Sequence, residues 1–294
     1  MGYKKPTDVT RQYLETYPLP NHGKSYTVIS HKEVIDNTMN LLKQSGFTIT
    51  KETYRCNMGA NVAQGIYYVR PNSTDTQVNE EAELGMMFSW TNSYDKSTRF
   101  QCAVGAYVKV CGNGMLAGEM MNFKRKHTGS ANYDVKMHMS DQIKNAEKYY
   151  KRLIGDKEYL KTLTIDCREA SELVGRLFID EDILDSQQVS MIKREMDKPS
   201  FDYGVDNNTA WAFYNHVTHA LKKAHPRDWL TDQQTFHDFI TTQLINKNMF
   251  GNLEINTDNS LIGITMEDVI DVDEQLDPSI TSKHLMQEMY MGRI

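Results

Sequence analysis

Between Asn122 and Arg152 the chain sets eight cationic residues (Lys124, Arg125, Lys126, Lys136, Lys144, Lys148, Lys151, Arg152) against three acids (Asp134, Asp141, Glu147). That is a local excess of five positive charges inside a chain of formal net charge −6. Phe123, Tyr133, Tyr149 and Tyr150 lie among them. Cations that neutralise phosphates, beside rings on which bases stack, are the ingredients of single-strand nucleic-acid binding. The net negative charge gives no global attraction to a polyanion, so affinity has to come from a local patch. The residues expected to form it are Arg99, Lys109, Lys124, Arg125, Lys126, His127 and Tyr133. The competing reading is a solvated charged face with no ligand.

Other chemistry finds less in the residues. His216 and His219 are three apart in a helical pattern, with His225 and His237 following, but there is no H-E-x-x-H or C-x-x-C to complete a zinc site. They read as helix-surface histidines, and no metal or cofactor is expected. No G-x-S-x-G elbow and no cysteine nucleophile signature occurs, so catalysis has no candidate residues. Gly112-Asn113-Gly114 is too short for a phosphate-binding loop and reads as a tight turn. The four cysteines, Cys56, Cys102, Cys111 and Cys167, are widely spaced, which points to reduced thiols rather than a disulfide scaffold. Seventeen Met and sixteen Tyr read as adaptable packing groups.

The elements that must position these groups follow from periodicity. Residues 1–28 read as irregular, broken by Pro18 and Pro20. Ser30 and Glu33 have capping-box spacing, Val34, Ile35, Thr38, Met39, Leu41 and Leu42 recur at helical intervals, and Gly46 stands at the C-cap. Phe47–Tyr54 and Val62–Val69 alternate as strands, with Gly65 marking a bulge. Pro71–Glu81 is a polar loop. Leu84–Trp90 and Arg99–Val110 are two further strands joined by a turn at Asn92–Ser97. One long helix is expected from Ala131 to Ile154. After it come helical patterns at Glu158–Leu163, Ser171–Phe178, Ser186–Met196, Asn208–Ala224 and Asp232–Ile245. Trp211, Phe213 and Tyr214 fall on a core-facing stripe. The expected fold is α+β: a helix, an antiparallel sheet and a long helix in residues 1–155, then a helical half in 156–294. The 294 residues suffice for one large domain or two modest ones. The N-terminal residues lack an apolar signal core, and no run reaches the roughly eighteen apolar residues of a membrane span. A cytoplasmic protein is expected.

The segments TNSYDKSTRFQCAVGAYVKVCGNGM, FKRKHTGS and NTAWAFYNHVT resemble motifs of the phage/plasmid-like proteins of unknown function, domain-of-unknown-function family nine hundred and thirty-two. Its members carry T-N-S-x-D-x-S, a strand ending V-V-C-x-N, an H-T-G element before a helix, and W-x-x-Y-N-x-x-T. The resemblance spans roughly Tyr26 to Lys222. It implies a phage, plasmid or laterally transferred gene and no particular reaction. A weaker resemblance, in the order of helix Ser30–Ser45, strands and helix, is to the single-strand annealing recombinases. That resemblance implies ring assembly and a basic DNA groove, although the groove residues do not match one by one.

These readings converge on a non-enzymatic, oligomeric single-strand-binding protein with a DNA-annealing role. The alternative is a phage accessory protein that binds a host protein such as a defence component. Self-association is expected from open edges on strands Leu84–Trp90 and Arg99–Val110, with Met86, Met87 and Trp90 as contact surface. Glu254–Asp277 carries eight acids and no Lys or Arg, a charge opposite to that of the basic stretch. Deleting the chain from Glu267 onward should tighten single-strand binding, most at low salt. Equal or weaker binding by the truncated chain, titrated at two salt concentrations, would remove the acidic segment from competition.

Overall fold

A computed structural model describes residues 7–21, 28–116, 124–125 and 131–246. The stretch expected to be irregular contains a short strand β1 (Thr7–Val9) and a helix α1 (Arg11–Thr16), whose N-cap Thr10 accepts from the Tyr13 amide. Helix α2 (His31–Gln44) starts where Ser30 accepts from the Glu33 amide. It buries Val34, Ile35, Leu41 and Leu42, and ends before Gly46 at φ +81°. Strands β2 (Phe47–Cys56), β3 (Val62–Pro71), β4 (Leu84–Ser93) and β5 (Phe100–Val108) follow, with a one-turn helix α3 (Thr76–Asn79) in the polar loop. Two short strands, β6 (Gly114–Met115) and β7 (Lys124–Arg125), complete the sheet.

The sheet is an antiparallel meander in the order β1-β2-β3-β4-β5-β6, with β7 pairing the start of β5. Gly65 is not a bulge. Its pairing with Trp90 is in regular register, and a Cβ there would meet the indole at 2.6–2.7 Å. The glycine is the seat of the largest buried ring, the close approach that a strand glycine permits. The irregularity lies instead between Ile49 and Lys51 of β2. Trp90 Nε1 donates to the Tyr67 hydroxyl at 3.4 Å, and the Tyr54 hydroxyl donates to the same oxygen at 3.1 Å. Beside this cluster lies buried His31. Its ring stacks on Tyr94 at 3.9 Å, Nδ1 faces the Asn92 amide nitrogen at 3.0 Å, and Nε2 faces the Ala60 carbonyl at 2.9 Å. The Asn92 amide also donates to the Ile29 carbonyl. The start of α2 is thereby hydrogen-bonded to β4.

Of the two edges expected, β4 has none, and among the described residues β5 is paired on its outer side at both ends. β4 lies between β3 and β5, and the outer side of β5 is met by β7 at Phe100–Gln101 and by β6 at Ala106–Tyr107. Met86, Met87 and Trp90 are buried core rather than contact surface. The ground for self-association through these strands is removed.

The expected long helix is two helices, α4 (Ala131–Lys144) and α5 (Ala146–Thr162), divided at Asn145. The change of character near residue 155 falls inside α5. Helices α6 (Cys167–Ile179) and α7 (Ser186–Asp197) both begin with capping boxes, at Asp166/Glu169 and Asp185/Gln188. In α8 (Ala210–Leu221) every residue except His219 is buried, Trp211, Phe213 and Tyr214 included. It packs against α5, α7 and α9 (Trp229–Ile240), and α9 packs on β4, β5 and β6. A π-helical turn, Thr241–Asn246, ends the described chain. The described residues belong to one compact unit. Glu254–Asp277 lies outside the described residues.

Lys157 of α5, only 3% exposed, is ringed by carboxylates: Glu81 at 2.9 Å, Glu83 at 3.1 Å and Glu158 at 2.7 Å. Burial opposes the charged form of Glu81, but the Lys157 ammonium and the Leu84 and Glu83 amides outweigh it and hold the carboxyl below its ordinary value. Glu83 behaves likewise beside Lys161 and Lys157. A carboxyl whose folded value is depressed contributes stability above its unfolded value, and that contribution is lost as pH falls through the folded value. Stability should therefore decline below the ordinary glutamate value of 4.5. Lys157→Met should cost about 3 kcal/mol near neutrality by stranding Glu81 and should blunt the acid sensitivity. Urea titrations of both chains across that range check this.

Gly65→Ala should cost about 2 kcal/mol or more by displacing the Trp90 ring. Gly155→Ala, exposed in α5 with nothing within 4 Å of the added Cβ, should be stabilising by up to about 1 kcal/mol. Thermal denaturation of the two variants, compared with the parent, should show shifts of opposite sign.

Candidate nucleic-acid interface

The turn between β4 and β5 is tied down by its own polar side chains. Ser93 Oγ donates to the Thr98 carbonyl at 2.8 Å, and Asp95 accepts from the Ser97 amide at 3.0 Å. Thr91 Oγ1 donates to the Pro226 carbonyl at 3.1 Å, which fastens the end of β4 to the chain between α8 and α9. These bonds place exposed Arg99 at the entrance to β5. β7 pairs Arg125 with Phe100 and Lys124 with Gln101, so the backbone of both cationic residues runs beside that same end of β5. Helix α4 packs against β5 and β7 and carries Tyr133, 66% exposed. The structure thus gathers Arg99, Lys124, Arg125 and the helix of Tyr133 at one end of the sheet. Lys126 and His127 lie outside the described residues.

Lys109 is not brought to this end. It follows β5, nine strand residues from Arg99, which is about 30 Å at strand rise. Its ammonium donates to the Glu81 carbonyl at 2.7 Å. The basic stretch is also partly neutralised. Lys144 faces Asp141 at 3.9 Å, Lys151 pairs with Asp75 at 2.5 Å, and Arg152 stands 4.0 Å from Asp156. Asp75 and Asp156 come from outside the stretch and offset two of its five excess charges. Lys136 and Lys148 are exposed. Partners on exposed pairs of this kind exchange readily, because each contributes about 0–1 kcal/mol.

The sequence reading passed over four residues at the other end of the sheet: Lys51, Tyr68, Arg70 and Tyr107. All are exposed or half-exposed. The signal is confined to the YYVRP that ends β3, where Tyr68 and Arg70 fall on alternate positions and so share a face.

Two of the four histidines, His216 and His237, are not surface groups. His216 is buried and its Nε2 faces Asn207 Oδ1 at 2.8 Å, while burial pushes its pKa down to about 4. His237 is buried between the Tyr214 hydroxyl at 3.1 Å and Asp156 at 3.2 Å. His237 thereby ties α9 to α8 and α5, and His216 ties α8 to the chain just before it. Among the described residues no group of three or more His, Cys, Asp or Glu is arranged to hold a metal ion. All four cysteines are free thiols. Burial pushes Cys56 and Cys111 up and Cys102 up to about 12, the opposite of what a thiolate nucleophile requires.

Residues 18–247 match the family described as Domain of unknown function (DUF932). The chain belongs to this family. The match is wider than the motif resemblance and takes in α2 to α9, with β1 and α1 before it. No curated protein and no solved structure matches the chain. Within this DUF932 chain the T-N-S-Y segment makes structural bonds around β4. The C-x-N element does the same around α8, where the Asn113 amide donates to Asn215 Oδ1 at 3.1 Å and to the Asn215 carbonyl at 3.0 Å. No helix among the described residues is long and apolar enough to cross a membrane.

Proposed function

We propose that the chain binds single-stranded nucleic acid through the end of the sheet where β7 meets β5. The observation that carries this reading is the pairing of Lys124–Arg125 with Gln101–Phe100, which puts two cationic residues beside exposed Arg99 on a rigid strand, next to the helix that exposes Tyr133. Phosphate neutralisation supplies affinity without sequence preference, and an exposed ring adds about 1–3 kcal/mol for each base stacked on it. The proposal stops at binding. An annealing role would in addition require assembly.

A second reading, a protein partner, is favoured by one feature. Phe178 and Ile179 at the end of α6 are 43% and 75% exposed and are followed by Asp180, Glu181 and Asp182. Salt separates the two, because counterion release makes nucleic-acid affinity fall steeply with ionic strength.

Changing Lys124, Arg125 and Lys126 together to Ala should weaken oligonucleotide binding across all sequences and flatten the salt slope by up to about three. A thermal melt of the variant beside the parent checks that it is folded. A folded triple variant with the parent's affinity and salt slope rules this loop out of the binding site.

A further inference from the structure

One face of the sheet is closed at one end and open at the other. At the closed end Arg55 donates to the Lys222 carbonyl at 2.7 Å and lies 5.9 Å from the Trp229 ring, so the α8–α9 connection covers it. Toward the other end the cross-strand rows are Lys51–Tyr68–Met87–Gly105 and, beside it, Gly85–Tyr107; Met87 and the glycines are buried, Tyr68 and Tyr107 are half-exposed, and Lys51 and Arg70, two residues beyond Tyr68 on the same face, are exposed. The irregularity in β2 creates this row. In unbroken register Lys51 would stand opposite buried Tyr67, whereas the shift after Ile49 sets it opposite Tyr68, with Thr50 Oγ1 donating to the Tyr68 carbonyl. A one-residue slip exchanges the faces of a strand, and here it delivers a lysine to the open one.

The two tyrosines come from β3 and β5 and meet across β4. They can do so because β4 has a glycine beneath them. A Cβ on Gly85 would meet the Tyr107 ring at 2.3–2.5 Å, and the Tyr68 and Tyr107 centroids are 4.6 Å apart at 87°. The Lys51 ammonium lies 5.4 Å from the Tyr68 centroid, so the ring can be reached from solvent by a cation. The strand positions of this strip (Thr48, Lys51, Thr53, Ile66, Tyr68, Arg70, Gly85, Tyr107) include no carboxylate. Burial raises both tyrosine hydroxyls above their ordinary value, so they carry no charge that would repel a phosphate.

We propose that Tyr68 and Tyr107, rimmed by Lys51 and Arg70, form a stacking platform for the unpaired bases of a single-stranded nucleic acid. The proposal rests on the nucleic-acid reading above and names a second contact region, separate from the β5–β7 end. Rings held on strands are pre-ordered for stacking, and the two cations are placed to follow the phosphates that flank the stacked bases. A duplex offers no free base faces to the rings. Lys109, two residues beyond Tyr107, adds a cation near this end rather than near Arg99.

The test uses the full chain and a fluorescein-labelled oligothymidylate. Tyr68→Leu/Tyr107→Leu should weaken binding about fivefold or more while leaving the salt slope unchanged, because stacking releases no counterions. Tyr68→Phe/Tyr107→Phe should keep the parent's affinity. Ultraviolet cross-linking of the wild-type complex should mark peptides containing Tyr68 or Tyr107, which gives a readout even if the leucine variant fails to fold. Wild-type affinity in a folded leucine variant, or cross-links confined to other peptides, overturns the platform and leaves the nucleic-acid reading standing. No binding by the wild-type chain at low salt overturns both.

Discussion

Trp90 can lie flat only where its cross-strand neighbour has no side chain, and Gly65 is that neighbour. The indole, fully buried, then reaches the Tyr67 hydroxyl, which Tyr54 also meets, and lies parallel to His31 at the start of α2. Strands β2, β3 and β4 and helix α2 are joined around one ring. Once β4 is fixed, β5 is fixed against it, and β5 in turn orders β6 and β7. The position of every proposed contact residue on the sheet therefore descends from the Gly65–Trp90 pair. Aromatic residues over strand glycines are a known way to pin register, and the register here has little freedom to slip.

The chain uses the same device twice, with opposite results. On the core face the glycine lets an indole sink out of solvent. On the other face Gly85 lets Tyr107 cross β4 and meet Tyr68, but the α8–α9 connection stops short of them, and the rings stay half-exposed. The two ends of β5 are thus provided for differently. One is rich in cationic residues, with a single exposed tyrosine on the adjacent helix. The other presents two rings with cations at their rim. Both suit recognition by charge and stacking.

Much of the architecture was legible in the sequence, because local pattern and tertiary environment agree there. Ser30 caps α2 as its spacing required, Gly46 ends it, and β2 and β3 form where their patterns place them, although the shift after Ile49 breaks the alternation of β2. Departures arise where tertiary context decides. Gly65 looks like a bulge in isolation and becomes a seat only because Trp90 is 25 positions later. A continuous helical pattern from Ala131 hides the break at Asn145, since the periodicity on its two sides is unchanged. His216 and His237 read as surface groups because histidine is usually half-wet, yet α8 is apolar nearly all round and draws them inside. The basic stretch was legible as a charge excess. Its pairing with Asp75 and Asp156 was not, because those partners are distant or on an adjoining turn.

The central claim is that affinity comes from phosphates and bases rather than from a protein surface. Fluorescence anisotropy of the full chain with a labelled oligothymidylate, repeated over a series of salt concentrations and beside the matching duplex, tests it most directly. The account predicts measurable single-strand binding at low salt, a linear fall of log affinity against log salt with a slope of several units, and weaker binding to the duplex. Absent binding at low salt, or an affinity indifferent to salt and to strandedness, would contradict it.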